Sequence, residues 1–366
     1  MNMIIRLIKH EAVLFMAALF ASASMIFIPP DTQYLSYLDY SVLAILFSLM
    51  IVVAGLKKIG VFDFVSQSLL ARTKGVKYLS ILLVNCVFVC SMFLTNDVAL
   101  ITFVPITIGI FTLNGRKRLI HAIVMETLAA NLGSMLTPIG NPQNLYLYSY
   151  YRLDIPRFFQ YVLPVGAVSY VLIMGLLLIS RNGNIDIALG QKIKLNSVRN
   201  SLIYYACLFL LCVGSVLHAI DYRISFILVL TATLIADRKL LLKVDYSLLL
   251  TFVCFFIFVG NLERIDAVKN ALSLFLKGRV FVVSVLSSQI ISNVPAAMMI
   301  SRFTTDARPL LLGVNIGGLG TPVASLASLI SFKLYAGSEG AKPGRYLLTF
   351  SLYNLSLLFL LSAIFK

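Results

Sequence analysis

Long apolar runs separated by short charged loops make up most of the chain. A helical run of about twenty apolar residues matches the thickness of the hydrocarbon core of a bilayer. Simple membrane spans are predicted at residues 12–29, 40–56, 160–180, 201–220, 224–236, 246–262 and 349–365. We therefore expect an all-α polytopic membrane protein whose surroundings are a lipid bilayer.

Four further apolar stretches are interrupted by polar or helix-breaking residues. The breaks are TND within 78–113, GSMLTPIGNPQNL within 119–150, SNVP within 280–303 and GGLGTP within 310–335. In hydrocarbon an unpaired backbone amide costs several kcal/mol, so such a break survives only where protein or water lines it. Counted with the simple spans, these stretches give about 9–11 spans.

The order of these pieces repeats along the chain. Residues 46–70 resemble residues 251–275, since each is a span that ends in Gly and continues into an amphipathic segment, at 61–72 or 263–276. A polar break, a break containing Thr-Pro and a closing span follow in both copies. The predicted organisation is a first repeat at 1–180 that includes the N-terminal span, a linker with a connecting span at 181–223, and a second repeat at 224–366.

Basic residues predict the orientation of the repeats. With the N-terminus inside, 20 of the 30 Lys and Arg residues lie in the cytoplasm, including KK at 57, GRKR at 115 and RK at 238. We expect an uncleaved first span, a cytoplasmic N-terminus and multiple passes through the cell membrane. The second copy then starts on the opposite side, so the two repeats have inverted topology, each with a hairpin and an unwound transmembrane helix.

Composition supports the membrane assignment and argues against other classes. The chain is 60% hydrophobic and 12% charged, unlike a soluble domain. Its net charge of +15 comes from short loops without a basic stripe carrying aromatics, so nucleic acid is not an expected partner. The five cysteines lie in apolar runs and carry no disulfide or metal-ligand spacing.

The breaks carry the groups that ion and substrate sites need. Freed carbonyls suit cations, helix N-termini suit anions, and Asn, Ser and Thr add neutral ligands. The predicted substrate and ion site comprises Thr95, Asn96, Asp97, Gly133, Thr137, Pro138, Gly140, Asn141, Ser292, Asn293, Gly320, Thr321 and Pro322. Sodium is expected at Asn96 and Asn293, no other metal is expected, and no cofactor is expected apart from sodium or a proton as the coupling ion.

Two acidic residues, Asp97 and Glu126, lie well within apolar runs and are candidates for proton coupling. Asp97 is the stronger candidate because it lies at a break beside Asn96. Glu126 has an equal structural alternative, a pair with Arg118 or Lys117. Three hydroxyls near the breaks are expected to hydrogen-bond to their own helical turn, those of Ser134, Ser325 and Ser328.

The segments SMFLTNDVALITFVPI and NLGSMLTPIGNPQNL, with their second-copy partners SSQIISNVPAAMM and NIGGLGTPVASLASL, resemble the ion transporter superfamily. This superfamily holds sodium-coupled dicarboxylate and citrate symporters, arsenite efflux permeases and a class of sodium/proton antiporters. The resemblance extends from about residue 40 to the end of the chain. It implies two inverted repeats, each with a re-entrant hairpin and an unwound helix, and it implies a homodimer.

The hairpin tips depart from the dicarboxylate symporters, in which each tip carries Ser-Asn-Thr. Here the third tip positions are Asp97 and Val294, and an acid at the tip argues against a dicarboxylate. The Asn96-Asp97 pair and TPVASLASL are more similar to arsenite permeases, and TPIGNPQN is similar to uncharacterised anion permeases of the superfamily.

Together these features predict a secondary active transporter of a small anion or metalloid oxyacid, of the citrate or dicarboxylate, inorganic oxyanion or arsenite class, coupled to sodium or protons by alternating access. No G-x-x-x-x-G-K-[ST] motif is present, so any ATP drive would need a separate ATPase subunit, and none is evident. The alternative is a sodium/proton antiporter in which Asp97 is the shared site. A membrane-embedded enzyme is the weaker rival, because the loops offer only scattered single acids, and we expect a transporter rather than an enzyme.

Overall fold

The computed structural model describes residues 11–62, 64, 75–111, 116–179 and 199–366, and these residues form helices and loops without a strand. Short 3₁₀ helices cover Arg238–Lys243 and Pro322–Ala324. The α-helices are α1 (Ala12–Phe27), α2 (Tyr34–Tyr37), α3 (Tyr40–Lys58), α4 (Val76–Leu94), α5 (Asn96–Phe111), α6 (Arg116–Ser134), α7 (Pro142–Tyr150), α8 (Ile155–Ile179), α9 (Arg199–Val216), α10 (Tyr222–Asp237), α11 (Tyr246–Glu263), α12 (Asp266–Leu276), α13 (Val280–Ile291), α14 (Asn293–Ser301), α15 (Ala307–Gly317), α16 (Leu326–Ala336) and α17 (Pro343–Phe365).

The all-α membrane fold predicted from the apolar runs is confirmed. Among the described residues, six helices are long and apolar enough to cross a membrane, or seven if α12 and α13, bent by 112°, count as one span. The remaining apolar helices are shorter, so nine to eleven spans are reached only when the broken helices and short helices are included. The second amphipathic segment is α12, whereas most of the first, at 61–72, and most of the linker lie outside the described residues.

Two helical hairpins form at the predicted polar breaks. Hairpin 1 consists of α4 and α5, and hairpin 2 consists of α13 and α14. A single residue joins the arms of each hairpin, Thr95 with φ 80° and ψ 148°, and Ser292 with φ 73° and ψ 156°. A positive φ at a residue with a side chain costs about 1–3 kcal/mol, and it is retained where the surrounding structure imposes it. The same strained turn at equivalent positions indicates one structural unit used twice.

Two broken helices follow the hairpins. In broken helix 1, α6 ends at Ser134 and α7 begins at Pro142, where Asn141 caps the new helix by accepting from the backbone N–H of Asn144 at 2.9 Å. In broken helix 2, α15 ends at Gly317 and α16 begins at Leu326. Gly and Pro in both interruptions prevent the helix from continuing.

The two copies exchange contacts. Within each copy, the first arm of the hairpin packs on the first half of the broken helix, α4 on α6 and α13 on α15. Between copies, α5 packs on α16 and α14 packs on α7. These contacts are reciprocal, so each hairpin packs on the broken helix of its own copy and on that of the other copy.

Glycines allow the close packing inside each copy. A Cβ on Gly133 of α6 would lie 2.4 Å from the Phe88 carbonyl oxygen of α4. A Cβ on Gly317 of α15 would lie 3.0 Å from the Val285 Cα of α13. Gly133 and Gly317 are four residues before Thr137 and Thr321, so both copies press a hairpin arm on its broken helix at the same place.

The buried apolar residues form two cores. One core joins α1, α3, α9 and α11 to α7 and α14. The other joins hairpin 1 and α6 to α16 and α17. The apolar neighbours of both tips lie in the first core or pack against it: Leu94, Val98, Ile291 and Val294.

Candidate functional site

Hairpin 1 is tied to the unwound part of broken helix 1 by two hydrogen bonds. The backbone N–H of Asn96 donates to the Gly140 carbonyl at 3.2 Å. The Thr137 hydroxyl donates to the carbonyl of Met92, three residues before the Thr95 turn. These bonds satisfy backbone groups that the turn and the break leave free.

Hairpin 2 is tied to broken helix 2 at the equivalent positions. The Thr321 hydroxyl donates to the carbonyl of Gln289 at 3.2 Å, and Gln289 is three residues before the Ser292 turn. The Ser292 hydroxyl donates to the Ala324 carbonyl at 3.3 Å, and Ala324 follows Thr321 by three residues, as Gly140 follows Thr137. The Thr of each Thr-Pro motif therefore anchors its own hairpin.

One asparagine of α6 and one asparagine of α15 form hydrogen bonds with the other copy. Asn131 of α6 accepts from the Ser325 hydroxyl at 2.9 Å and donates to the Ser328 hydroxyl at 3.2 Å. It also accepts from the Asn96 side-chain amide at 3.3 Å, which connects tip 1 to broken helix 2. Because Asn131 is 4% exposed, these bonds replace those that water would make.

Asn315 of α15 repeats this arrangement in the opposite direction. Its side-chain oxygen accepts from the side-chain amide of Asn141 at 3.1 Å, and its side-chain amide donates to the side-chain oxygen of Asn144 at 2.7 Å. Asn131 and Asn315 each lie six residues before the Thr of the Thr-Pro motif in their own copy. Their partners in the other copy lie four and seven residues after the Thr of that copy. We call these two sets of bonds the amide clasp; it holds the two breaks against each other.

A cavity of about 640 Å³ reaches tip 1. Thr95, Asp97 and Pro142 line it beside the apolar face of α3. Four lysines and two aspartates line it as well, at what we call the basic end of the molecule: Lys57, Lys58, Lys239, Lys243, Asp237 and Asp245. Lys58 forms an ion pair with Asp237. The cavity therefore presents the first turns of α5 and α7 to a charged vestibule in which lysines outnumber aspartates.

Asp97 has an unsatisfied oxygen at this cavity. Its backbone N–H donates to the Asn96 side chain at 3.0 Å, but its buried Oδ1 atom has no hydrogen-bond partner. An unpaired carboxylate oxygen on a cavity wall is suited to a proton, a cation or a donor group of a ligand.

Tip 2 has the same backbone as tip 1 but is covered. Ser292 and Asn293 are 2% and 4% exposed, and Val294 is 5% exposed. A second cavity, of about 410 Å³, lies at the open end of hairpin 2, and its described lining residues do not include those of tip 2. Of these two cavities, the larger one is connected to tip 1 and neither is lined by the described residues of tip 2.

Arg302 closes the open end of hairpin 2. Its guanidinium donates to the Tyr37 carbonyl at 3.2 Å, lies 3.5 Å from a Glu263 oxygen and stacks over Tyr150 with 5.3 Å to the ring centroid. The Tyr37 ring in turn packs on Gly260, where a Cβ would meet it at 2.4 Å. Hairpin 2 is thus fastened to α2 and α11.

The structure brings most of the predicted site residues to the two tip-and-break contacts. Gly133 lies one turn earlier, under hairpin 1, and Gly320 adopts φ 99° beside Gln289. The sequence reasoning missed the amide clasp and its neighbours: Asn131, Asn144, Asn315, Gln289, Ser325 and Ser328. The equal spacing of NLGSMLTP and NIGGLGTP contains the signal for Asn131 and Asn315. The prediction that the serine hydroxyls near the breaks bond to their own helical turn is confirmed for Ser134, whose hydroxyl donates to the backbone carbonyl of Asn131 at 3.0 Å. It is wrong for Ser325, whose hydroxyl donates to the side chain of Asn131.

Glu126 lies away from both tips. It is fully buried, its Oε1 accepts from the Thr107 hydroxyl and its Oε2 has no hydrogen-bond partner. Arg118 is exposed and forms no ion pair with Glu126 among the described residues, whereas the side chain of Lys117 is outside them. No group of three potential metal ligands occurs among the described residues.

Comparison with known proteins gives the family. The family model described as citrate transporter matches residues 3–313. An uncharacterized transporter of Methanocaldococcus jannaschii is 34% identical over 306 residues, covering 83% of this chain and 82% of the relative. Inner membrane protein YbiR of Escherichia coli is 29% identical over 332 residues, covering 88% and 85%.

One solved structure supports the fold. The YdaH transporter of Alcanivorax borkumensis, described as having an unusual topology, matches with a TM-score of 0.54 and 15% identity, over 91% of this chain and 86% of that chain. At this identity the likeness concerns the fold alone. The family match over most of the chain is decisive: this protein belongs to the citrate transporter family of membrane transporters.

Proposed function

We propose that this membrane transporter is a secondary active carrier of a small anion or metalloid oxyacid, coupled to sodium or protons by alternating access. The observation that carries the proposal is the difference between the tips: a large cavity reaches Thr95 and Asp97, while Ser292 and Asn293 are buried. A carrier exposes its site to one side at a time, and two inverted copies provide the two states.

The groups at tip 1 suit a small polar substrate. The cavity meets the first turns of α5 and α7, whose helix dipoles favour negative charge. At the basic end lysines outnumber Asp237 and Asp245, and this excess of positive charge raises the local concentration of an anion at the mouth of the cavity. Asp97 disfavours a highly charged anion close by and accommodates a neutral hydroxide or a partner cation.

The basic end supports a cytoplasmic opening. Lys57, Lys58, Lys239 and Lys243 lie at one end of α3 and α10, and the excess of basic residues marks the cytoplasmic side of a cell-membrane protein. In this assignment the N-terminus is cytoplasmic, the cavity opens inward, and Arg302 closes the outer side. Transport requires the hairpins and broken helices to move against α1, α3 and α11.

A sodium/proton antiporter is the second candidate. The buried Oδ1 of Asp97, unpaired and beside the cavity, is the observation in its favour. In that function one carboxylate binds a sodium ion or a proton in turn, and no anion is needed.

Thermal unfolding of the purified protein in detergent tests both functions. The ligands are sodium, lithium, citrate, succinate, sulfate, phosphate and arsenite, and a ligand at a hundred times its Kd adds about 2.7 kcal/mol to the stability. We expect an anion or arsenite to raise the Tm. Asn96→Ala should abolish this rise, and Asn270→Ala, an exposed asparagine of α12, should leave it unchanged.

Asp97→Asn separates the two candidates. A Tm rise with sodium or lithium alone that Asp97→Asn removes would favour the antiporter. If no compound of the panel stabilises the protein or is taken up by proteoliposomes, the proposed carrier function for these substrate classes is wrong.

A further inference from the structure

Glu126 has chemistry that the tip-1 site does not use. It lies in α6, five residues before Asn131, and is 0% exposed within the core formed by hairpin 1, α6, α16 and α17. The Thr107 hydroxyl of α5 occupies Oε1, and Oε2 is buried without a partner. An ionised carboxylate left unpaired in such a place costs several kcal/mol, so a neutralising proton or cation is required.

A row of hydroxyls connects the surroundings of Glu126 with the amide clasp. Thr127 donates to the Ser331 hydroxyl at 2.8 Å, and Ser331 hydrogen-bonds to the Tyr346 hydroxyl at 2.8 Å. Ser331 also donates to the Ser328 carbonyl at 3.2 Å, and the Ser328 hydroxyl accepts from Asn131. The seam between α6 and α16 is therefore polar from the clasp to the level of Glu126.

The other copy lacks this row, although its backbone follows the same plan. With Asn131 matched to Asn315, Glu126 corresponds to Leu310 and Thr127 to Leu311, and Ser331 corresponds to Leu147. All three leucines are 0% exposed. Because apolar residues fill the same positions in one copy, the fold does not need an acid there, and the acid in the other copy calls for a different explanation.

The coordination around Glu126 suits a proton better than a metal ion. Hard cations take six or more oxygen ligands, whereas the hydrogen bond described for the Glu126 carboxyl brings it a single further oxygen, that of the Thr107 hydroxyl. A proton on Oε2 satisfies the buried oxygen by making it a donor, without further ligands.

The groups around Glu126 leave it as the principal acid of this core. Cys86 of α4 and Tyr346 of α17 are within electrostatic range of it. His121 is five residues earlier on α6, with its ring 5.4 Å from that of Tyr353. The charged residues of the other helices packed on α6 lie elsewhere: Asp97 at tip 1, Lys77 at the start of α4, exposed Lys333 on α16, and Arg157, Arg308 and Arg345 in the first turns of α8, α15 and α17.

We propose that the Glu126 carboxyl is a proton-binding site of the transport cycle, separate from the substrate cavity at tip 1. One proton from water binds to Oε2 and is released again in each cycle, so the carboxyl alternates between neutral and ionised forms. The proposal rests on the proposed transport function and names the proton as a coupling ion.

Infrared difference spectra between about pH 5 and pH 9 test the site without a substrate. The wild-type protein in detergent should lose a C=O stretching band of a protonated carboxylic acid as the pH rises. Glu126→Gln should lack that component, Asp97→Asn should retain it, and Glu339→Gln, an exposed acid of the α16–α17 loop, should give the wild-type spectrum. Thr107→Val keeps the acid, so it should retain the band but change the pH at which the band disappears.

Two results of this measurement overturn the proposal. Glu126 would be a permanently neutral structural group if its band persists at every pH. Glu126 would not bind the proton if Glu126→Gln leaves the difference band unchanged.

Proteoliposomes containing pyranine test the coupling. Citrate, succinate, sulfate, phosphate and arsenite are added in turn, and lumenal pH is followed together with uptake. With a transported compound, the wild type and Glu339→Gln should show equal changes of lumenal pH. In Glu126→Gln the change of lumenal pH that accompanies uptake should fall to the background seen in empty liposomes. Uptake by the wild type without a pH change overturns the proton site and leaves the carrier function standing. If no compound is taken up, the carrier function fails for this panel and the infrared result decides the proton site alone.

Discussion

Tips 1 and 2 have the same backbone but different surroundings. Both turn at a residue with positive φ, and both are anchored by the Thr of a Thr-Pro motif. Yet Thr95 and Asp97 line a cavity of about 640 Å³, whereas Ser292 and Val294 are covered. The difference shows that shared local geometry does not determine access, which depends on the residues packed around each tip.

The regions beyond the amide clasp differ in chemistry as well. On the α6–α16 side the buried positions hold Glu126, Thr127 and Ser331, whereas Leu310, Leu311 and Leu147 hold the equivalent positions. The two copies are thus alike at the amide clasp, where they contact each other, and differ at the positions where one copy has an acid and the other has leucine.

Cysteine labelling tests whether the two tips differ in accessibility, and it has the largest expected effect. Thr95→Cys and Ser292→Cys are made in a background that lacks the five native cysteines. Because only Thr95 meets the cavity, its thiol should react with a water-soluble maleimide at least about tenfold faster in detergent. Glu339→Cys, in an exposed loop, gives the rate of an open site. Equal rates at the two tips would show that both are accessible and would contradict a one-sided opening.

Alanine in place of each clasp asparagine should lower stability next most strongly. Asn131→Ala leaves Ser325, Ser328 and Asn96 with unpaired buried groups. We expect losses of roughly 2–5 kcal/mol from this change. Asn315→Ala should cost about the same, since Asn141 and Asn144 lose their partner.

Thermal unfolding in detergent measures both clasp variants, with Asn270→Ala as the exposed control. A wild-type Tm in one variant and not the other would mean that the two halves of the clasp are not equivalent.

Glycine at the two turns should reveal a smaller difference. Thr95→Gly removes the penalty of a positive φ and, after the added freedom of the unfolded chain, should stabilise by about 1 kcal/mol. Ser292→Gly should stabilise less, because the bond from the Ser292 hydroxyl to Ala324 is lost. Thr349→Gly, in the regular helix α17, should destabilise by about 1 kcal/mol. A lower Tm in Thr95→Gly than in Thr349→Gly would show that the turn is not strained.

The smallest expected effect concerns the pH dependence of the ion pair between Asp31, in the loop before α2, and Arg264, just after α11. A hydrogen bond from the Arg264 guanidinium holds the pKa of Asp31 below its ordinary value. The stabilisation by this pair is therefore present above the unfolded pKa, near 3.8, and is lost as the pH falls through the folded pKa. The small Tm difference between the wild type and Asp31→Asn should be constant from about pH 5 to pH 8 and vanish in stronger acid. A difference that changes near neutral pH would contradict this assignment.

The spans, breaks and repeats could be predicted from the sequence because their signals are local. Apolar runs set the helices, and Gly, Pro and Asn within them set the interruptions. The amide clasp could not be found in this way, because Asn131 and Asn315 lie in regular helix and their partners are in the other copy. Ser325 was misjudged for the same reason, since local bonding is the usual role of a helical serine and only tertiary packing supplies Asn131.

Access to the tips also could not be predicted, because both states of the proposed carrier share one sequence. The lack of clearance at Gly133 and Gly317 limits how those states can differ. Only backbone atoms and the short side chains of Ser91 and Ser288 face these glycines, so sliding of the hairpin arm along the broken helix would bring atoms into collision. We therefore expect each hairpin and the first half of its broken helix to move together as one rigid unit. The distance between spin labels on α4 and α6 should therefore stay constant, whereas the distance between labels on α4 and α3 should change during the proposed transport movement.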